Sequence, residues 1–153
     1  MKYTIEKTPV EQCRWLIKHC YDKDGDMIDS FHEAAGTGLD GITENTFTTL
    51  QYGTVGFEFY VLKDEAGEAI GYFGREVLDK KDYLTSFAIA MDYRTEEVKK
   101  ALWKFIRATM SKTFYCGLYR RNPRAVKFIE NMGMKYMDVN ENEGEAILIF
   151  KNK

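Results

Sequence analysis

The chain's 153 residues carry 22 Lys and Arg against 24 Asp and Glu, a formal charge of −2, which excludes a nucleic-acid binder that works through a wholly basic surface. Hydrophobic residues at 44%, aromatics at 14% and charged residues at 30% supply one core and a wettable surface, excluding disordered and collagen-like classes. Charge interrupts every apolar run before the roughly 20 residues that cross a bilayer, so no membrane contact is expected.

Tyr3 to Lys7 alternates as a strand does, and Thr8-Pro9-Val10-Glu11 then reads as a helix start, with Thr8 as cap, Pro9 at the first position and Glu11 closing a capping box. Cys13, Leu16, Ile17 and Cys20 follow at i, i+3, i+4 and i+7, one apolar helix face on which both cysteines act as small hydrophobes. Residues 22–56 are irregular and punctuated by glycines, which suits a lid or partner surface. Phe57 to Lys63, the turn Asp64 to Gly67, and Ala69 to Val77 form a hairpin, and the nearly uncharged run Leu84 to Met91 suits a strand buried on both faces. Between Thr95 and Lys112, Val98, Ala101, Leu102, Phe105 and Ile106 mark the apolar face of the longest helix. Phe114 to Tyr119 is the next strand, Asn122-Pro123 opens a second helix that Gly133 ends, and Tyr136 to Val139 with Ala146 to Phe150 make a last hairpin around residues 140–144. No linker or repeat divides the chain, so a single α/β domain over residues 1–153, a mixed sheet covered by helices, is expected. The odd cysteine count and the absence of a cleavable apolar leader after Met1-Lys2 suit a reducing, cytoplasmic setting.

Two tempting motifs fail on context. Asp22 to Glu33 places acids as a calcium loop does but has Met27 where the sharp turn needs glycine, and a solvated acidic turn after the first helix is the better account. Gly36-Thr37-Gly38-Leu39-Asp40-Gly41 spells a dinucleotide fingerprint with no strand before it and no long helix after it. His19 and His32 have no ligand pattern around them, so no metal is expected.

From about Phe57 to Lys151 the order of elements and two motifs resemble the GNAT superfamily of N-acetyltransferases. The motifs are Ile89-Ala90-Met91-Asp92-Tyr93-Arg94, ahead of the long helix, and Asn122-Pro123-Arg124-Ala125-Val126 continuing to Gly133-Met134. The resemblance implies a mixed, mainly antiparallel central sheet flanked by helices, and transfer of an acetyl or other acyl group from CoA to an amine. It implies that Ile89, Ala90, Met91, Arg94, Thr95, Lys99, Asn122 and Arg124 contact acetyl-CoA or another acyl-CoA. Tyr119 is the expected proton donor, with Tyr115 and Tyr136 as substitutes, and Glu58 is the expected base because desolvation among Phe57, Phe59 and Tyr60 would raise its pKa. Glu76 and Asp82 read as exposed strand-edge charges, Cys116 as a buried thiol. Arg120, Arg121, Arg124 and Lys127 form a basic cluster that suits a solvated helix face, phosphate, or an acidic partner or nucleic-acid backbone.

The chain departs from the family pattern in two places. Glu97 and Lys99 stand where glycines would let backbone N–H groups approach a pyrophosphate, and Ile129 stands where a tyrosine would protonate the leaving thiolate. These departures carry a second expectation: a catalytically degenerate GNAT-like binding or structural protein, for example a phage virion or assembly component, acting in the host cytoplasm or virion through a protein partner or a second copy.

Overall fold

The computed structural model of the protein describes residues 2–9, 14–24, 58–120, 122–142 and 145–152. Glu11, Cys13, the glycine and acidic motifs beyond Asp24, Phe57, Arg121 and the last hairpin's tip lie outside them. The elements run β1 (Thr4–Lys7), α1 (Arg14–Tyr21), β2 (Glu58–Lys63), β3 (Ala69–Leu78), β4 (Lys81–Ile89), a short 3₁₀ turn (Met91–Tyr93), α2 (Glu96–Thr109), β5 (Tyr115–Tyr119), α3 (Pro123–Asn131), β6 (Lys135–Asn142) and β7 (Glu145–Lys151). The seven strands form one sheet in the order β1-β2-β3-β4-β5-β7-β6, antiparallel throughout except for the β4–β5 pair. The expected mixed, mainly antiparallel sheet flanked by helices is thus what the chain adopts.

The two faces of the sheet hold separate cores. Leu16, Ile17, Cys20 and Tyr21 of α1 pack on Phe59, Val61, Tyr72 and Ala88. On the other face Val98, Leu102, Trp103 and Ile106 of α2 and Ile129 of α3 pack on Leu62, Phe73, Leu84 and Phe150. Helices this short are marginal alone, so the apolar stripe that each sequence encodes forms a helix because burial stabilises it, by about 1.5–3 kcal/mol per large side chain. Gly133 ends α3 as its position predicts, at φ 98°, with its N–H on the Glu130 carbonyl and that of Met134 on the Ile129 carbonyl, both at 3.0 Å.

Strand bounds and one charged residue differ from the sequence reading here: β6 runs on to Asn142 and β7 starts at Glu145, so residues 140–142, read as turn, are paired strand. Strands β3 and β4 run to Leu78 and from Lys81, joined by Asp79 and Lys80 at φ 50° and 65°, a two-residue hairpin turn made without the usual glycine. Asp82 is not a strand-edge charge. It is 5% exposed, with Arg75 Nε donating to both of its oxygens at 2.9 and 3.0 Å and the Ser111 N–H to one at 2.8 Å.

The sheet is joined at its middle by very little. Strand β4 pairs with β3 along its length and β5 with β7 along its length, but β4 and β5 share only Tyr83↔Tyr115 and Leu84↔Cys116. Beyond that rung each strand follows its own hairpin. The register of β3 against β4 jumps between Gly74↔Ser86 and Arg75↔Leu84, which makes Thr85 the extra residue of a bulge. A bulge bends its strand and increases local twist. Here it falls where β4 parts from β5: from Thr85 and Gly117 onward no described pairing joins the two strands, a gap in the backbone ladder of the sheet.

Candidate functional site

One wall of the gap is the backbone of β4. The Ala90 N–H donates to the Ile70 carbonyl at 2.8 Å, so Ala90 and Ile70 are a hydrogen-bonded antiparallel pair. Alternation then turns the N–H and C=O groups of Ile89 and Phe87 away from β3, toward the side on which no described strand pairs with β4 beyond Leu84. The Thr85 hydroxyl at the bulge is buried and is the orphan among the described residues: it has no hydrogen-bond partner. Such a group ordinarily costs about 1–3 kcal/mol, so its persistence calls for an explanation. From α3 the Phe128 ring reaches Phe87 of β4, centroids 5.2 Å apart.

The head of the gap is the turn from β4 into α2. Thr95 caps that helix, its Oγ1 accepting the Val98 N–H at 3.3 Å, as its position predicts. Glu96 and Glu97 occupy the first turn, where a carboxylate suits the helix dipole by about 0.3–1 kcal/mol. Lys99 Nζ lies 3.5 Å from Glu96 Oε1, and Glu97 engages the Tyr3 hydroxyl, whose pKa rises through its burial and then through that carboxylate. Ile89 and Ala90 are buried, while Met91 is half-buried in the 3₁₀ turn.

Arg94 makes three hydrogen bonds among the described residues. Its Nε donates to the Ile89 carbonyl at 2.7 Å, its Nη2 to the Cys20 carbonyl at 3.0 Å and its Nη1 to Asp24 Oδ2 at 2.7 Å. Arg124 donates to the other oxygen of the same carboxylate. The acidic turn after α1 is therefore not simply solvated: Asp24 is 1% exposed and joins two residues of the expected cofactor set. Burial pushes its carboxyl up, but the hydrogen bonds from Arg94 and Arg124 outweigh that and hold it below the usual carboxylate range. Asn122, which the motif places at the same end, caps α3 by accepting the Ala125 N–H at 3.4 Å.

The expected acid and base are differently placed. Tyr119 ends β5, beyond the last rung with β4 and paired to Ile147 on the other side, so it stands on the gap's second wall. Glu58 is not a desolvated carboxyl of raised pKa. Lys7 first, then Tyr60 and Arg75, bond it at 2.9, 2.9 and 3.0 Å and hold it below its ordinary value against the effect of burial. Cys20 and Cys116 are buried, and burial pushes both thiols up to about 12. Sequence reasoning missed Thr85 and a buried polar chain on the α1 face, in which Tyr21 meets Tyr72 and the Tyr72 hydroxyl lies 3.2 Å from Ser86 Oγ. Only the bulge, invisible in residue types, brings Thr85 and Ser86 to the place where the strands part.

No protein-family model and no curated protein matches the sequence. Solved structures do match. The PaiA N-acetyltransferase of Thermoplasma acidophilum, determined in complex with coenzyme A, is 17% identical over 100% of this chain and 99% of its own, with a TM-score of 0.66. A GNAT-family acetyltransferase from Bacillus cereus is 12% identical over 100% and 98%, with a TM-score of 0.61. The ribosomal-protein-alanine N-acetyltransferase of Escherichia coli is 14% identical over 99% and 93%, with a TM-score of 0.68. The chain has the GNAT acetyltransferase fold, as its motifs imply.

Proposed function

We propose that the chain is an acyl-CoA-dependent N-acyltransferase that moves an acetyl or other acyl group from CoA to an amine. The observation that carries this reading is the edge of β4 beyond Leu84, where no described strand pairs with it: the backbone groups of Phe87 and the Ile89 N–H face away from β3, the Ile89 carbonyl is taken by Arg94, and the buried Thr85 hydroxyl at the bulge has no partner. An extended chain of amides is the natural partner of an unpaired strand edge, and the pantetheine arm of CoA is such a chain. The Phe87 backbone groups and the Ile89 N–H would pair with the amides of that arm. Ile89, Ala90 and Met91 would lie along the cofactor with Asn122 opposite, near its arm, and Arg94, Thr95, Lys99 and Arg124 would face its phosphate-bearing end.

The cofactor supplies a thioester, an acyl group already activated toward an amine. The chain's part is to hold, orient and exclude water, with Thr85 as donor or acceptor beside the reacting group and Tyr119 as proton donor on the facing wall. Glu58 and Asp82 are poor bases because their ion pairs favour the charged, proton-free form. The rate should therefore follow the amine's own ionisation and rise with pH through the amine pKa.

A second reading is a degenerate GNAT-fold binding or structural component, for example of a phage virion, working through a protein partner or a second copy. The Asp24 carboxylate on Arg94 and Arg124, together with Glu96 and Glu97 at the start of α2, favours it. Calorimetry and melting with acetyl-CoA separate the two, followed by an assay of thiol release over a panel of amines. A ligand at about 100 times its dissociation constant stabilises a protein by about 2.7 kcal/mol, so a flat thermogram with an unmoved melting temperature would sink the acyltransferase reading.

A further inference from the structure

The Asp24 carboxylate lies between two arginines that come from opposite sides of the gap. Arg94 follows the 3₁₀ turn after β4, and Arg124 is in the first turn of α3, which follows β5. The Asp24 side chain is 2% exposed, those of Arg94 and Arg124 22% and 42%, so the guanidiniums cover the carboxylate and keep surface of their own. The end of α1 holds Asp24 there. Its N–H donates to the Tyr21 carbonyl at 3.0 Å, and its neighbour Lys23 pairs at 2.8 Å with Asp92 on the 3₁₀ turn. The two guanidiniums carry two formal positive charges against the single negative charge of this carboxylate. Their planar forks match phosphate oxygens as well as they match a carboxylate.

We propose that Asp24 is an internal counter-anion: the end of α1 latches onto Arg94 and Arg124 and must release them before a diphosphate group binds at the head of the gap. The inference rests on the acyl-CoA reading above, which brings a diphosphate to this end. A competitor tethered in the site reduces the competent fraction of the protein, and affinity falls by that fraction. Engagement of Asp24 for about nine parts in ten weakens binding about tenfold.

The test is calorimetry of the full chain and of Asp24→Asn with inorganic pyrophosphate, and in parallel with CoA. The variant is expected to bind about tenfold more tightly or better, and Arg124→Ala added to it should remove the gain. A folded Asp24→Asn that binds no better than the parent overturns the proposal, as does a failure of both proteins to bind either probe. Should the variant not fold, hydrogen exchange on the parent decides. Pyrophosphate is expected to speed exchange at the Cys20 to Asp24 amides, and unchanged protection under saturating probe counts against the latch. Acyl transfer by the parent without a gain in the variant overturns this inference alone. A gain without transfer by either protein supports the latch and sinks the acyltransferase reading. A gain toward both probes supports a cofactor diphosphate, and one toward pyrophosphate alone supports free diphosphate as the ligand released to these arginines.

Discussion

Arg94 closes on Asp24 at 2.7 Å across 70 positions of sequence, and the same guanidinium takes the Ile89 and Cys20 carbonyls. One side chain thereby ties the end of β4 to the end of α1. Arg94→Ala removes all three bonds and takes one arginine from a buried carboxylate, a loss of about 3–5 kcal/mol. Arg94→Lys should recover only part of it, because an ammonium cannot present a fork to three acceptors. Urea denaturation of both variants measures this, and a lysine variant as stable as the parent would contradict the three-way tie.

Acid should unfold the protein through a few identifiable groups. Asp24, Asp82 and Glu58 all have folded-state pKa values below their ordinary ones, so between folded and unfolded values the unfolded chain binds more protons. Their contribution is complete above the unfolded carboxylate value of about 4 and is lost as pH falls through the lower folded values. The urea midpoint is expected to be flat from neutrality to about pH 5 and to drop below about pH 4. Asp82→Asn should start lower, because it breaks a buried pair with Arg75, and should fall less steeply. An identical acid slope in the variant would remove Asp82 from the account.

Thr85→Val separates function from stability. The change keeps shape and deletes an unpartnered buried hydroxyl, so the melting temperature should rise, by an amount corresponding to about 1 kcal/mol or more. If the hydroxyl serves the reacting group, turnover should fall about tenfold or more, and Thr85→Ser should restore it. A variant both more stable and fully active would leave Thr85 with no part in the chemistry.

Gly71 keeps β3 close to β4 at the gap's head. A Cβ there would stand 2.8 Å from the Ala88 carbonyl oxygen, which is backbone and cannot turn aside. Gly71→Ala should cost about 1–3 kcal/mol and loosen the adjacent Ala90–Ile70 pair, visible as faster amide exchange at Ala90. Unchanged protection at Ala90 would show that the strand absorbs the methyl group.

The helices and most strands were legible because their signals are local. The stripe Val98, Leu102, Ile106, the Thr95 cap and the Gly133 stop each declare themselves within a few residues. The Asp79-Lys80 turn was not legible, since neither residue type announces a positive φ. The fate of the charged groups was misread for a different reason. Glu58 and Asp82 look alike in sequence, and only the strand register shows that both are claimed by Arg75.

By itself the amino-acid sequence determined the element order, the apolar faces, the caps and the motif residues at the two ends of β4 and β5. Tertiary structure decided what those residues are bonded to. Asp24 meets Arg94 and Arg124 over separations of 70 and 100 positions, and Thr85 reaches the parting of the strands through a one-residue bulge. Periodicity and capping are encoded over a few residues, whereas an ion pair closed by a whole sheet and a hydroxyl stranded by a bulge exist only once the strands are in register.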